Sequence, residues 1–225
     1  MSMTFKEYPD REMLGISLAD QIASQLAQNL RSNETASFCA AGGTSPIPVY
    51  QTLSGTELDW DRVTVFPSDE RWVDGEHNRS NARLLRRHLL VDKAAGANYI
   101  DFYTGQPEPE EAEVALAEAL VPHFPITVGL LGMGDDMHTA SLFPGADNLA
   151  QALANDAPPV MAIRAPGAAE PRLTLTKPPL VGAMALHILI FGKEKREAVE
   201  RAQKLDPIEA PVRAVLDLAT VHWAE

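Results

Sequence analysis

The chain reads as an α/β protein built on a doubly wound, mostly parallel sheet with helices on both faces, and three observations carry that reading. Short apolar runs recur along the chain, each separated from the next by a stretch whose apolar positions have helical spacing. Two of these runs, residues 35–41 and 126–131, end in glycine-rich turns, Gly42-Gly43 and Gly132-Met133-Gly134, as strands do where they leave the carboxyl edge of a parallel sheet. The third observation is size: 225 residues with 45% hydrophobic content suit one domain, residues 1–225, with apolar side chains enough for a full core.

Residues 10–32 carry Leu14, Leu18, Ile22, Leu26 and Leu30 four apart behind Asp10 as a cap, which predicts a helix packed along one stripe. Residues 35–41 predict a buried strand. Beyond its Gly-Gly turn, Pro46 suits the first position of a helix capped by Ser45 and continuing through Val49, Tyr50 and Leu53. Residues 63–66 predict a strand that runs into the charged stretch 67–73 and a polar loop through His77, Asn78 and Arg79. Ser80 then caps a helix over 81–91, with Leu84, Leu85, His88 and Leu89 packed and Arg83, Arg86 and Arg87 in solvent. A short strand over 99–103 precedes an acidic helix opened by Pro107-Glu108-Pro109 and running through Leu120, its glutamates favoured at the first turn.

After the strand at 126–131, the pattern predicts a short helix at 148–156, a strand at 159–163 and an irregular loop at 165–171. A strand at 172–176 is broken by Lys177-Pro178-Pro179, and 185–191 is the last strongly apolar strand. A helix opening at Gly192 runs through Ala198, Val199 and Leu205, a second covers 211–218, and Val221-His222-Trp223 reads as an edge strand. No internal repeat or low-complexity tract interrupts the chain.

A formal net charge of -12 argues against nucleic acid or an anionic membrane as partner, because either needs a basic face. Any anionic ligand must then be met by a local cluster of arginine and lysine. The single Cys39 lies in an apolar stretch, makes an intramolecular disulfide impossible and reads as a small core filler in a reducing compartment. No apolar run reaches membrane-spanning length and residues 1–5 lack a signal-peptide pattern, so the expected location is the cytoplasm.

Three strand-exit turns concentrate the chemistry. The longest, Leu131-Gly132-Met133-Gly134-Asp135-Asp136-Met137-His138, puts a histidine at the mouth of the sheet, where a side chain that titrates near neutrality can take a proton from water and return it to a leaving group. A metal there is disfavoured, since no second histidine or cysteine stands at ligand spacing. The Gly42-Gly43-Thr44-Ser45 turn reads equally as a cradle of backbone N–H groups for an anion and as ordinary turn chemistry. Asp69 and Arg71, two apart in an extended segment, point the same way; they form a structural ion pair, or the carboxylate orients the guanidinium or binds a sugar hydroxyl. Arg172, Lys193 and Lys195 are the basic groups in strand-adjacent turns. Gathered in one crevice, these turns suit a phosphorylated small molecule and a proton-transfer step.

In their order along the chain, these motifs resemble those of the 6-phosphogluconolactonase family. The resemblance rests on Gly42-Gly43-Thr44-Ser45-Pro46, Ser68-Asp69-Glu70-Arg71-Trp72-Val73, the segment from Leu131 to Pro144 containing Asp136-Met137-His138-Thr139-Ala140-Ser141, Pro171-Arg172-Leu173-Thr174-Leu175, and Gly192 with Lys195. It implies the Rossmann-like lactonase/deaminase type of the fold and hydrolysis of 6-phospho-D-glucono-1,5-lactone in the oxidative pentose phosphate pathway, without metal or organic cofactor. It further implies His138 as the general base, accompanied by Asp136. Gly42, Gly43, Thr44, Ser45, Asp69, Arg71, Gly134, Arg172 and Lys195 are implied to bind the phosphorylated sugar lactone, in a monomer or small homo-oligomer. One departure stands out: the family usually has glycine just before the histidine, and Met137 occupies that position. If a left-handed backbone is needed there, methionine strains or reshapes the loop; if not, it packs over the mouth.

Two rival readings differ in testable ways. Glucosamine-6-phosphate deaminase/isomerase shares the fold and a related loop, but its histidine is followed by a segment ending in Asn-Glu-Pro, whereas Ser141-Leu142-Phe143-Pro144 holds no acid. A non-enzymatic sugar-phosphate-binding domain, of the kind fused to transcription regulators, would carry a basic DNA-binding segment, and this acidic chain displays none. Ser141 lacks the Gly-x-Ser-x-Gly surroundings of a nucleophile.

Overall fold

Leu14, Leu18, Ile22, Leu26 and Leu30 are all buried along one stripe of helix α1 (Arg11–Leu30), which starts where the Asp10 carboxylate accepts a hydrogen bond from the Met13 amide. Each such aliphatic side chain removed from water contributes about 2 kcal/mol, so this stripe fixes the helix on the sheet beneath it. The computed structural model describes residues 3–225; Met1 and Ser2, part of the stretch read for a signal pattern, lie outside the described residues. Among the described residues no helix is long and apolar enough to cross a membrane.

Seven strands make one parallel sheet. Their order is β1 (Thr4–Glu7), β10 (Thr220–Ala224), β9 (Ala185–Phe191), β6 (Val128–Gly132), β2 (Ala36–Ala40), β3 (Val63–Pro67) and β5 (Asn98–Tyr99). Side chains along the central strands alternate between two cores. Phe38, Val65, Val128 and Leu130 join one, with α1, α2 (Ile47–Ser54) and α3 (Asn81–His88). Cys39, Phe66 and Leu131 face the other, with α4 (Glu113–Leu120), α7 (Lys193–Ala202) and α8 (Arg213–Leu216). Helices therefore cover both faces, as the doubly wound reading expects.

The structure corrects several expectations. A second, antiparallel sheet in the order β4-β8-β7 comprises β4 (Asp69–Arg71), β8 (Arg172–Leu175) and β7 (Val160–Ile163), where the sequence pattern shows residues 69–71 only as a charged strand end. Val221-His222-Trp223 is not at an edge, because β1 pairs outside it. Helix α2 begins one residue later than expected, with Pro46 rather than Ser45 at its cap and no side-chain cap bond. The strand expected over 99–103 shrinks to two residues. Lys177-Pro178-Pro179 does not simply break the chain but, beyond the short α5 (Leu149–Ala152), opens α6 (Lys177–Val181), where proline suits the first turn.

Between α1 and the sheet lies a buried polar chain. Tyr8 Oη is 2.8 Å from His222 Nδ1, His222 Nε2 is 3.0 Å from His187 Nδ1, and His187 Nε2 is 2.8 Å from Gln25 Oε1. Each imidazole nitrogen thus has one partner, an arrangement that neutral rings satisfy and that charging both rings breaks, because two N–H groups would then face each other. Burial, with the nearby Lys6 charge, pushes the His187 pKa down to about 4; burial, His187 and Lys6 push that of His222 down to about 3.

Candidate active site

From β2 the chain steps to β3 on one side, whereas β6 is followed in the sheet by β9 on the other, so the order reverses between β2 and β6. A crevice opens outside the carboxyl ends of strands at such a reversal. Here a cavity of about 260 Å³ is lined by Gly42, Gly43 and Ser45 after β2, by Met133, Gly134 and His138 after β6, by Ser68, Asp69 and Arg71 around β4, and by Arg172 and Lys195. The three turns singled out in the sequence do meet.

The histidine loop closes on itself. Gly134 N donates to His138 O (2.9 Å), Met137 N to Gly134 O (3.1 Å), and Thr139 Oγ1 to Gly132 O (2.9 Å), while Val212 N donates to Met137 O (3.0 Å) from outside. Asp136 Oδ1 accepts from the His138 amide at 3.1 Å and lies 2.5 Å from His138 Nδ1. Burial works to raise the Asp136 pKa, but the hydrogen bonds and charge of His138 outweigh it, and the net shift is downward. An ionised Asp136 holds the proton on Nδ1 and leaves the other ring nitrogen with its lone pair. The imidazole also packs on Phe143, with ring centroids 4.1 Å apart. Gly134 is required by close approach, since a Cβ built there would overlap both the imidazole of His138 and the carboxylate of Asp136. Met137 sits at φ 64, the left-handed region, so methionine does occupy a strained backbone here while its half-buried side chain packs against the core.

Opposite the histidine, β4 and β8 bring arginines together. Arg71 and Arg172 are direct partners across the antiparallel pair, so two like charges face each other. Asp69 does not pair with Arg71. Its carboxylate accepts from Ser68 Oγ (2.8 Å) and Ser141 Oγ (2.5 Å) and lies 3.8 Å from Arg172 Nη1, whereas Arg71 Nη1 donates to Arg79 O at 2.6 Å. Arg172 is largely buried; burial lowers its pKa, and its Nε has no hydrogen-bond partner among the described residues. Lys195 Nζ donates to Met133 O and pairs with Asp135, both at 2.8 Å, which ties the start of α7 to the histidine loop. Glu70 serves the scaffold: its buried carboxylate accepts from the amides of Arg71, Asn81 and Ala82 and from Ser80 Oγ, capping α3.

Thr44 is exposed and is not among the residues facing the cavity, and Asp136 stands behind His138 rather than on the wall. Two residues that the sequence reading left out of the site belong to this region. Asn81 lines the cavity, its Nδ2 donating to Asp69 O at 2.8 Å and its side chain filling the space a Cβ on Gly42 would need. Phe143 touches both His138 and Arg172. Asn81 follows a cap serine and so looked like a helix start; only the tertiary contact reveals it. Among the described residues no group of three histidine, cysteine or acidic side chains is placed to hold a metal ion.

Compared with known proteins, residues 9–223 match the family model described as glucosamine-6-phosphate isomerases/6-phosphogluconolactonase. The chain belongs to this family. Within the isomerase/lactonase family, a protein named 6-phosphogluconolactonase from Rhizobium meliloti is 39% identical over 232 residues, covering 100% of both chains. Another of that name from Mesorhizobium japonicum is 38% identical over 99% of this chain and 96% of its own. A crystal structure of a 6-phosphogluconolactonase from Shewanella baltica superposes with a TM-score of 0.95 at 32% identity, covering 100% of this chain and 98% of the other.

Proposed function

We propose that this chain is a single-domain 6-phosphogluconolactonase, opening 6-phospho-D-glucono-1,5-lactone to 6-phospho-D-gluconate in the oxidative pentose phosphate pathway. Full-length relatives of that name support the reading, and one observation carries it: a histidine oriented by a carboxylate shares a crevice with Arg71, Arg172 and Lys195. His138 takes a proton from water as the oxygen attacks the lactone carbonyl. The tetrahedral intermediate collapses with cleavage of the bond to the ring oxygen, and the imidazolium returns its proton to that leaving oxygen. Asp136 remains ionised throughout and steadies the imidazolium.

The phosphate is met by Arg172 and Lys195 near the Gly42-Gly43 turn. A dianion beside Arg71 and Arg172 relieves their mutual repulsion, so in an acidic protein the charge of the crevice is matched to the ligand. No cofactor enters the scheme. The buried free thiol of Cys39 is consistent with a cytoplasmic enzyme.

The test follows opening of freshly generated lactone by acid release near neutral pH for wild type, His138→Ala and buffer. General-base catalysis is worth roughly 10²–10⁴-fold, and a loss of that order in the variant is expected. A variant as fast as wild type would move the base elsewhere. No wild-type excess over buffer would end the lactonase reading, and ammonia release from glucosamine 6-phosphate would be tested next.

A further inference from the structure

Ser141 and Phe143 follow His138 by three and five residues, yet both reach across to Arg172 on β8. Ser141 is fully buried. Its Oγ donates to Asp69 Oδ2 at 2.5 Å and lies 3.4 Å from Arg172 Nη1 as an acceptor, and its amide donates to Thr174 Oγ1 at 3.1 Å. The Phe143 ring packs against His138 on one side, centroids 4.1 Å apart and planes tilted by 33°, and lies 5.4 Å from Arg172 Cζ. The chain turns sharply to make this possible: Leu142 N donates to Thr139 O at 2.9 Å, and Ala140 takes φ 49, a left-handed angle that costs a non-glycine residue free energy. Strain of this kind persists where surrounding contacts over-determine the backbone.

We infer that Ser141 and Phe143 are positioning residues that yoke Arg172 to His138, fixing the span between the anion site and the base. The inference rests on the reading of His138 as base and Arg172 as phosphate ligand. Ser68 donates to Oδ1 of the buried Asp69 and Ser141 to Oδ2, so each carboxylate oxygen has one hydroxyl partner, and Arg172 Nη1 stands 3.8 Å from the oxygen that Ser141 holds. The Ser141 hydroxyl adds a link between the histidine loop and the strand carrying the guanidinium. Phe143 adds a second link of different chemistry, a tilted aromatic contact with the imidazole and a cation–π contact to the guanidinium. A substrate that spans both groups depends on that separation; one lacking the phosphate does not.

The test is the ratio of kcat/KM for the phosphorylated lactone to that for unphosphorylated glucono-δ-lactone, each corrected for spontaneous opening. Removing a hydrogen bond to a charged group is worth about tenfold or more, so Arg172→Ala should lower the ratio by at least that factor. Ser141→Ala and Phe143→Leu should each lower it severalfold with Arg172 still in place, and Phe143→Tyr should restore it. A purely structural role reduces the amount of folded enzyme and scales both substrates alike, leaving the ratio untouched. Wild-type ratios in both Ser141→Ala and Phe143→Leu, alongside a reduced ratio in Arg172→Ala, overturn the inference. An unchanged ratio in Arg172→Ala removes the phosphate assignment itself. If Ser141→Ala does not fold, Phe143→Leu decides alone.

Discussion

Acidification should destabilise this protein through the buried His187–His222 pair, well away from the crevice. Both rings have native pKa values below the ordinary histidine value of about 6.5, at about 4 and about 3. The unfolded chain therefore binds more protons than the native one between those values and 6.5. The pair's contribution is fully present above about pH 6.5 and is lost as pH falls. At about pH 5 each unfolded imidazole gains about 2 kcal/mol from protonation and each native one almost nothing, so the pair costs about 4 kcal/mol relative to pH 7.5. That figure is insensitive to the native values once both lie well below pH 5. Glu70, whose pKa burial raises, acts in the opposite sense, favouring the native state as pH falls. A His187→Gln/His222→Gln variant retains Glu70 and cancels it from the comparison. Urea unfolding at the two pH values should show wild type losing about 4 kcal/mol more than the variant. Equal pH dependence would refute the reasoning, as would nuclear magnetic resonance of the native protein showing either imidazole charged at pH 6.

Gly134→Ala should leave the fold intact, judged by thermal unfolding, yet lower lactone turnover by more than about tenfold, because the added methyl displaces His138 and Asp136 from their mutual bond. Wild-type turnover in that variant would show that the imidazole need not sit where it does. At Met137, glycine should be more stable than alanine by about 1 kcal/mol in chemical denaturation, the left-handed penalty being partly offset by glycine's extra freedom when unfolded. Alanine equal to or better than glycine would mean that the backbone is not left-handed there.

Much of this was legible because it is periodic or local. The four-residue spacing from Leu14 to Leu30 announces its helix, and the glycines after β2 and β6 announce the crevice. Pairing between distant segments was not legible. The strand Asp69–Arg71 has three residues, too few to show alternation, and its partner at Arg172–Leu175 lies far along the chain, so the second sheet leaves no local signature. Consequently the spacing points Asp69 towards Arg71, whereas its carboxylate is held by Ser68 and Ser141 and lies beside Arg172. The edge strand Thr4–Glu7 has largely exposed side chains, which deprives it of an apolar signature and led to the edge being placed at Val221-His222-Trp223. Met137 shows a different limit: sequence posed the question of its backbone angle, and only the geometry answered it.

The pairing of β1 with β10 also dictates an order of events. Among the described residues β1 has no other strand partner, and Tyr8, just beyond it, meets His222 at a sequence separation of 214. During synthesis β1 must wait, unpaired, while the residues between it and β10 emerge, and its mostly polar side chains keep it from premature association. β9 waits as well, one flank open until β10 fills the gap. Closure of this side of the sheet is therefore a late step governed by a loop of large sequence separation, and loss of residues 220–224 would strand β1 and leave β9 as an exposed apolar edge.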